Sequence, residues 1–333
     1  MKDLVNCGKM VAQTEKIKNN VIMAVVKKKK AKALVLLSGG LDSILAVKLL
    51  LEQGILVEAI NFRTNFCGPS RARPAAKMLG VPLREVDIRK DFLLVLKKPK
   101  FGYGAGLNPC IDCHALMLKK AAMIMRAEGF DFVATGEVLA ERPMSQHKKA
   151  LKIVEKEAGL EGYLLRPLSA KLLEETIPEK QGLVDREKLL AIAGRGRKKQ
   201  IALAEKFGIK NYPTPAGGCA LTQSGFANRL KNLMVHKPDF DEQDVDLVRV
   251  GRHFFVDKGI QIILGRNQTE NEILESLAGV GDVLIKPKNF LGPAALVRGK
   301  TSNKAALDRA KELIIQFSPK ARNLDKNKLK FDD

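Results

Sequence analysis

An apolar run, a glycine-containing loop and a second, periodic apolar segment follow one another early in the chain and constrain its fold most. Residues 33–37 (ALVLL) predict a short strand that is buried on both faces, as in a parallel sheet. Leu41, Leu45, Leu49 and Leu50 recur at helical spacing and predict an amphipathic helix. Between them, SGGLDS at residues 38–43 brings backbone amides and a helix N-terminus together. This order predicts an anion-binding turn, because glycine lets a phosphate approach the backbone closely.

An ordinary strand-to-helix turn, with Asp42 or Ser43 capping the helix, is the alternative interpretation of this loop. The two common nucleotide-binding patterns do not apply, since no Gly-Lys-Ser/Thr follows at P-loop spacing and the chain has no G-x-G-x-x-G. The six residues instead resemble the SGGxDS signature of the PP-loop ATP pyrophosphatases. The resemblance implies that the loop holds the pyrophosphate of ATP and that the reaction cuts between the α- and β-phosphates.

The same resemblance implies which residues bind ATP and a magnesium ion. Asp42 is expected to contact Mg²⁺, with helix capping as its alternative role. Asn61 and Phe62 end the second predicted strand and are expected to line the adenine pocket, although Phe62 equally suits a core position. Gly136 is expected to let the backbone approach the nucleotide, and Glu137 to contact the nucleotide or the magnesium ion. The expected ATP contacts are Leu37, Ser38, Gly39, Gly40, Leu41, Asp42, Ser43, Asn61, Phe62, Gly136 and Glu137.

The order of predicted elements divides the chain into three parts. Residues 1–30 read as an N-terminal extension, and residues 31–235 alternate strands and helices in a way that predicts an α/β, doubly wound parallel sheet. Residues 236–333 predict a smaller α+β domain with a hairpin at 253–265, a helix at 268–277, a strand at 282–287, a helix at 303–317 and a polar tail expected to be disordered. This last part resembles the RNA-binding domain of NFACT proteins through VDKG at residues 256–259 and ILGRN at residues 263–267.

Three of the five cysteines form a pattern, whereas Cys7 and Cys67 read as inert core thiols. Cys110 and Cys113 lie one helical turn apart at a predicted helix start, where the helix macrodipole is expected to lower the pKa of a thiol. Cys219 follows a Pro- and Gly-rich loop that can aim its thiol inward. The spacing alone leaves three alternatives open, which are a zinc site completed by His114, a [4Fe–4S] cluster with one open iron, and a persulfide relay that ends in a disulfide.

The cysteine motifs look like those of PP-loop tRNA thiolation enzymes. The matching stretches are NPCIDC at residues 108–113 and AGGC at residues 216–219. Two further stretches are similar to the core of tRNA 4-thiouridine synthases. They are the segment from Thr135-Gly136-Glu137 to Gln146, and RPL at residues 166–168. The resemblance implies a [4Fe–4S] cluster on Cys110, Cys113 and Cys219, with Cys110 and Cys219 as the catalytic thiols if sulfur travels as persulfide. The chain departs from those synthases because no THUMP domain fits in its first 30 residues and no rhodanese-like domain follows.

The charge of the chain points to a polyanionic partner. Lys and Arg number 58 against 37 Asp and Glu, which gives a formal net charge of +21. No apolar stretch is long enough to span a membrane, so nucleic acid is the leading candidate and a cytoplasmic location is expected. The basic residues cluster at 27–30, 97–100, 195–199 and 320–330. The residues expected to contact RNA are Arg195, Arg197, Lys198 and Lys199 from the charge pattern, and Arg142 and Gln146 from the resemblance.

Together these features predict an ATP-dependent tRNA sulfurtransferase, which adenylates a uridine carbonyl and replaces its oxygen with sulfur. The sulfur is expected to come from sulfide or a cysteine desulfurase. Two other hypotheses stay open: a PP-loop enzyme that adenylates a different carbonyl, as in amidation, and a non-enzymatic RNA-binding protein. The intact SGGLDS loop and the three patterned cysteines argue against the last, because RNA binding alone needs neither.

Overall fold

The computed structural model describes residues 30–67, 71–212, 219–257, 259–299, 303–321, 324–325 and 328–332. Residues 1–29 of the expected N-terminal extension lie outside this range, as do Cys7, the loop at 213–218 and Lys258 of the VDKG stretch. The described part of the chain contains two five-stranded sheets. Strands β1 to β10 are Lys32–Leu36, Leu56–Arg63, Leu83–Asp87, Phe132–Ala134, Leu164–Leu165, Arg252–Asp257, Ile260–Leu264, Val283–Pro287, Ala295–Arg298 and Phe331–Asp332.

Helices cover both faces of the first sheet and pack around the second. Short 3-10 turns occur at Ala170–Leu172, Arg186–Lys188 and Ala220–Thr222. Numbered in chain order over the described residues, helices α1 to α11 are Leu41–Leu51, Ala72–Leu79, Arg89–Lys97, Cys110–Glu128, Lys148–Ala158, Ile177–Lys180, Lys198–Lys206, Ser224–His236, Glu242–Leu247, Gln268–Leu277 and Lys304–Gln316.

The first sheet is parallel, with strand order β3-β2-β1-β4-β5, which confirms the predicted doubly wound α/β fold. Successive residues of β1 face opposite sides because side chains alternate along a strand. Ala33 and Val35 pack with α1, α2 and α7, whereas Leu34 packs with α4 and α5 on the other face. The strand order reverses between β1 and β4, and ligands of such sheets bind at the carboxyl ends of the strands near that point. The SGGLDS loop lies there.

The second sheet is antiparallel, with strand order β10-β8-β9-β7-β6, and β6 and β7 form the predicted hairpin. Helix α11 buries Ala306, Ala310 and Leu313 against one face of this sheet, and α10 buries Leu274 against the other. The tail differs from its expectation, because Phe331–Asp332 pairs with β8 as an edge strand. An apolar contact accounts for this, since the Phe331 ring lies edge-on to Phe290 with 5.5 Å between centroids.

A third apolar cluster joins the two sheets. Phe66, Phe92 and Phe226 of the first region pack with Phe240 and Val245 of the second. Helix α8 ends at His236, so the predicted boundary between residues 235 and 236 falls at a helix end within this cluster and stays a prediction. None of the helices in the described ranges combines the length and the apolar composition that crossing a bilayer requires.

Candidate active site

The SGGLDS loop is a tight turn between β1 and α1 that holds its own shape. The Ser43 hydroxyl donates to the Gly40 carbonyl oxygen at 2.8 Å, and the Gly40 amide donates to Ser38 Oγ at 3.3 Å. Gly39 has φ of +78°, and a Cβ there would collide with the backbone of Arg71, so only glycine fits. The helix start leaves the amides of its first turn without partners inside the helix. The loop therefore has the form of an anion-binding turn.

Gly136 is a second position where the backbone requires glycine. A Cβ at Gly136 would lie 2.5 Å from the Ser43 nitrogen, because the segment after β4 crosses the first turn of α1. Glycine is thus required at position 136 because the backbone of the SGGLDS loop lies close to it. This close approach holds the ends of β1 and β4 together at the point where the strand order reverses.

Asp42 is a partly buried carboxylate at the start of α1 with an incomplete set of partners. Burial raises the pKa of Asp42, while the nearby guanidiniums of Arg197 and Arg142 and the Gln200 amide act in the opposite direction. Asp42 Oδ2 lies 3.8 Å from Arg197 Nη2, a long ion pair. Glu141 lies close enough that burial and the charge of Asp42 raise its pKa as well. Two carboxylates therefore share this corner of the molecule.

Buried polar atoms without partners concentrate at the same corner. Among the described residues, eight buried side-chain atoms have no hydrogen-bond partner, and four of them belong to Asp42, Arg197 and Gln200. These four are Asp42 Oδ1, Arg197 Nε, Gln200 Nε2 and Gln200 Oε1. Such atoms are costly to bury, so a cluster of them indicates a place where a polar ligand completes the bonding. An orphaned carboxylate oxygen beside a second carboxylate fits Mg²⁺ bound to phosphates, which uses only one or two protein carboxylates.

The other residues expected at the nucleotide have different surroundings. The Asn61 side-chain amide donates to the Leu37 carbonyl oxygen at 2.8 Å and ties β2 to the end of β1. Phe62 is buried in the core with Leu34 and Leu118, which is the alternative that its sequence position left open.

Glu137 is held by a buried network on the far side of the loop. Its carboxylate lies 3.0 Å from Arg166 Nε and 2.8 Å from His114 Nδ1, and it accepts the Thr135 hydroxyl at 3.1 Å. Burial would raise the pKa of Glu137, but the charges and hydrogen bonds of Arg166 and His114 outweigh it and lower the pKa to about 2. Both carboxylate oxygens of Glu137 are thus bonded to protein groups, which gives this residue a structural role.

Replacing Glu137 by glutamine is expected to lower the free energy of unfolding by about 3 kcal/mol, because the pKa drop converts to that amount at 1.36 kcal/mol per unit. The folded-state pKa lies below the unfolded one, so this stabilisation is present above about pH 4.5 and is lost as the pH falls towards 2. Thermal unfolding of the variant at pH 7 measures it. Glu128→Gln, which alters a surface pair with Arg84, is the control and should leave the stability close to that of the unaltered protein. A Glu137→Gln protein of normal stability that fails to bind ATP would instead make Glu137 a nucleotide ligand.

Of the six residues expected to contact RNA, four have exposed side chains, whereas Arg197 and Gln146 point into the protein. Arg195, Lys198 and Lys199 are exposed, in keeping with a surface role, whereas Arg197 turns inward to Asp42. Gln146 is buried, and its Oε1 accepts the backbone amide of Arg142 at 2.9 Å. The exposed Arg142 acts electrostatically on both Asp42 and Cys110, and it opposes the rise in pKa of each. Arg142 is therefore within electrostatic range of both the SGGLDS loop and the first cysteine.

The three patterned cysteines lie near one another but do not have the expected acidity. Burial raises the pKa of Cys110, raises that of Cys113 well above its usual range and raises that of Cys219 to about 11. The prediction that the helix start lowers these pKa values is wrong, because Cys113 and Cys219 pack against the apolar cluster around Phe66 and Phe226. Desolvation of a thiolate there outweighs the helix dipole.

Cys67 is a fourth member of this group. It is exposed and accepts a weak hydrogen bond from the Thr64 hydroxyl at 3.5 Å, so the prediction of an inert core thiol is wrong. The preceding carbonyl, of Phe66, accepts the Ala220 amide at 3.2 Å and lies 3.9 Å from Cys219 Sγ. Cys67, Cys110 and Cys219 all lie within electrostatic range of Cys113. We call these four side chains the thiol cluster.

The arrangement does not support a metal centre built on cysteines. In the part of the chain that the structure describes, no three Cys, His, Asp or Glu side chains are placed to hold a metal ion together. The expected [4Fe–4S] cluster on Cys110, Cys113 and Cys219 is therefore not supported. The zinc alternative lacks support on the same ground, since His114 is not placed with the cysteines as part of a metal-ligand group among the described residues.

Alkylation under native conditions should distinguish the four thiols by their surroundings. Cys67 is expected to react first with iodoacetamide because it is exposed, and Cys113 last because burial holds its pKa highest above the usual range. Peptide mass spectrometry over a time course measures the order. Alkylation of Cys113 before Cys67 would contradict the described burial.

Sequence reasoning missed Cys67, Glu141 and Gln200. Cys67 and Glu141 follow the carboxyl ends of β2 and β4, on the same sheet edge as the SGGLDS loop, and that position was an available signal. Gln200 lies one turn after Arg197 in α7 and carries no motif. Only the packing of α7 on α1 reveals it.

Known protein families match both the region of the first sheet and the region of the second. Residues 31–206 match the sequence model of the tRNA methyl transferase HUP domain, and residues 251–333 match that of the NFACT protein RNA binding domain. The second match confirms the resemblance seen in the hairpin.

Curated relatives match the first region. A tRNA-specific 2-thiouridylase MnmA of Syntrophotalea carbinolica is 36% identical over 126 residues, covering 33% of this chain and 36% of the relative. Another, from Chloroflexus aurantiacus, is 33% identical over 125 residues, covering 32% and 34%. The chain thus spans about a third of the length of the curated relatives it matches. Among solved structures, a 4-thiouridine synthetase–RNA complex with bound ATP has a TM-score of 0.35 at 20% identity, covering 65% of this chain and 53% of the other.

The first family match extends over more than half of the chain and includes the SGGLDS loop, both cysteines of α4 and the Thr135–Gly136–Glu137 segment. The chain therefore belongs to the tRNA methyl transferase HUP domain family, within the PP-loop superfamily.

Proposed function

We propose that the protein is an ATP-dependent tRNA sulfurtransferase that carries sulfur on its thiol cluster. The observation that supports this proposal is that Arg142 acts electrostatically both on Asp42 at the SGGLDS loop and on Cys110 of the thiol cluster. A nucleotide bound at the loop would therefore share the charge of Arg142 with a thiol. ATP activation alone, or RNA binding alone, would not need that juxtaposition.

The ATP half of the site activates the base. The uridine carbonyl oxygen attacks the α-phosphate of ATP, pyrophosphate leaves, and the base carries AMP on that oxygen. The amides of the SGGLDS loop bind the departing pyrophosphate, and Arg197 and Gln200 supply further donors from α7. Asp42 and Glu141 are the residues that would hold Mg²⁺, which when bound neutralises charge on the phosphates.

The thiol half supplies the sulfur. A cysteine desulfurase transfers sulfane sulfur to Cys219, which becomes a persulfide, and the terminal sulfur attacks the activated carbon of the base. AMP leaves with the former carbonyl oxygen. The Cys110 thiolate then attacks the inner sulfur, so the thiocarbonyl is released and a Cys110–Cys219 disulfide forms, which a thiol reductant reopens. The choice of Cys110 as the partner rests on the charge of Arg142, which opposes the rise that burial causes in the pKa of the Cys110 thiol.

The basic surface and the second sheet bind the tRNA. The match of residues 251–333 to the NFACT RNA binding domain supports this role, as does the net charge of +21.

Nucleoside analysis of tRNA tests the proposal. Purified protein, unmodified tRNA, ATP, cysteine and a cysteine desulfurase are expected to yield thiouridine together with AMP and pyrophosphate. Pyrophosphate release without thiouridine would favour a PP-loop enzyme acting on another carbonyl. Tight tRNA binding without any ATP turnover would favour the non-enzymatic hypothesis.

A further inference from the structure

A cavity of about 250 Å³ opens at the start of α8, outside the nucleotide and thiol sites. It is lined by Gln223, Gly225, Phe226, Arg229 and Arg249. We propose that this arginine cavity binds one backbone phosphate of the RNA substrate, beside the thiol cluster. The proposal rests on the proposed function, since it takes tRNA as the substrate.

Arg229 is a half-buried cation with no anionic partner. Its Nε donates to the Val248 carbonyl oxygen at 2.8 Å, and Nη1 reaches back towards Gly225 over the first turn of α8. In the described residues, no carboxylate lies within ion-pair distance of Arg229 or Arg249. Desolvation and the neighbouring charge of Arg266 lower the pKa of Arg229 more than the charge of Glu270 raises it, so a bound anion would stabilise the cation here. The remaining N–H groups of Arg229 are left for that anion.

Arg249 completes the cavity from the other side. Its Nη2 donates to the Asn65 carbonyl oxygen, and its guanidinium lies over the Phe226 ring, 5.4 Å from the centroid. These two contacts hold the planar group in place before any ligand arrives. Two ordered guanidiniums around one cavity can hold a phosphate through paired N–H···O bonds, which is the geometry that arginine offers and lysine does not.

The location of the cavity favours RNA as the source of the phosphate. Helix α8 follows Cys219 after only the short turn Ala220–Thr222, and Arg249 lies within electrostatic range of the Cys219 thiol. The phosphates of ATP have their own site at the SGGLDS loop. A phosphate held beside Cys219 therefore belongs to a nucleotide that flanks the target base, and it would set the position of that base relative to the sulfur.

Binding of an unmodified tRNA transcript, measured by fluorescence anisotropy over a range of salt concentrations, tests the arginine cavity. The Arg229→Gln, Arg249→Gln double variant should bind tRNA about tenfold more weakly. The slope of log K against log salt should fall in magnitude by about one, as expected when one phosphate contact is lost. Arg73→Gln, at an exposed side chain of α2 that pairs with Glu85 and lies outside residues 251–333, is the matched control and should leave both values unchanged. Lysine at both positions should keep most of the salt slope but lose affinity.

Two further measurements separate the possible failures. ATP affinity of the double variant should equal that of the unaltered protein, and a parallel loss of ATP affinity would overturn the proposal by assigning the cavity to the nucleotide. Unchanged tRNA affinity and salt slope in a folded double variant would also overturn it, while thiouridine formation by the unaltered protein would still uphold the proposed function. If the unaltered protein binds no tRNA, the proposed function itself fails. Thermal unfolding confirms that each variant is folded, and the single Arg249→Gln change at an exposed side chain serves if the double variant is not.

Discussion

Replacing Asp42 by asparagine is expected to reduce pyrophosphate release from ATP by at least a hundredfold. The substitution keeps the size of the side chain but removes the negative charge beside the three unpartnered polar atoms of Arg197 and Gln200. Loss of one preorganised electrostatic contact at developing charge typically costs about 10²–10³ in rate. Burial raises the pKa of Asp42, so the pyrophosphate release of the unaltered protein should also fall on acidification at a higher pH than an ordinary aspartate would give. The measurement is the rate of pyrophosphate formation with saturating tRNA and ATP.

Glu52→Gln is the matched control for this variant. Glu52 lies at the other end of α1 and pairs with Lys48 on the surface, so the same chemical change there should leave the rate unaltered. The fold and tRNA affinity of Asp42→Asn should stay close to those of the unaltered protein, because Asp42 makes only a long ion pair. Undiminished pyrophosphate release by Asp42→Asn would remove Asp42 from the ATP chemistry. The alternative role of helix cap is already wrong, because the N-cap of α1 is Gly40 and no side chain caps this helix.

Serine at Cys219 should abolish thiouridine formation, with an expected loss of more than about 10³-fold. A hydroxyl cannot carry sulfane sulfur, and no persulfide can then attack the adenylated base. Adenylation does not use the thiol, so one pyrophosphate per active site should still be released in a single turnover. This separation of pyrophosphate release from sulfur insertion is what a thiol role predicts and a folding defect does not.

Cys110→Ser should behave differently from Cys219→Ser. If Cys110 resolves the intermediate, its serine variant accepts sulfur on Cys219 but forms no disulfide after turnover, which mass spectrometry of the non-reduced protein measures. Cys7→Ser is the control for a change of thiol number. Full thiouridine formation by Cys219→Ser would contradict the persulfide mechanism, and so would a visible iron–sulfur absorbance that disappears with loss of activity in each of the three serine variants.

Much of the fold could be predicted because it depends on local periodicity. The strand Leu83–Asp87 and the helix Gln268–Leu277 have the bounds that their patterns predict, and the β6–β7 hairpin forms around its glycine turn. Side-chain alternation and helical spacing are properties of neighbouring residues, so no tertiary information is needed to see them. The short strand Phe331–Asp332 is different, because only its pairing with β8 and the contact with Phe290 make it a strand.

The candidate site was predictable in its motifs but not in its chemistry. Residues 38–43 form the tight turn that the two glycines and the helix start predict. The acidity of the cysteines was not predictable, because a helix dipole is a local effect whereas burial against Phe66 and Phe226 comes from segments more than a hundred residues apart. The same applies to Glu137, whose partner Arg166 lies 29 residues away.

The sequence by itself determined the two sheets, the SGGLDS turn and the paired spacing of Cys110 and Cys113, since each follows from residue type and spacing over a few positions. Only the tertiary structure decided what those groups can do. It brought Cys67 beside Cys219 and turned Arg197 from the surface to Asp42. It also gathered the unpartnered atoms of α1 and α7 into one corner and opened the cavity between Arg229 and Arg249. The reason is physical: pKa, desolvation and charge pairing depend on every group within several ångströms, and the chain folds distant segments into that range.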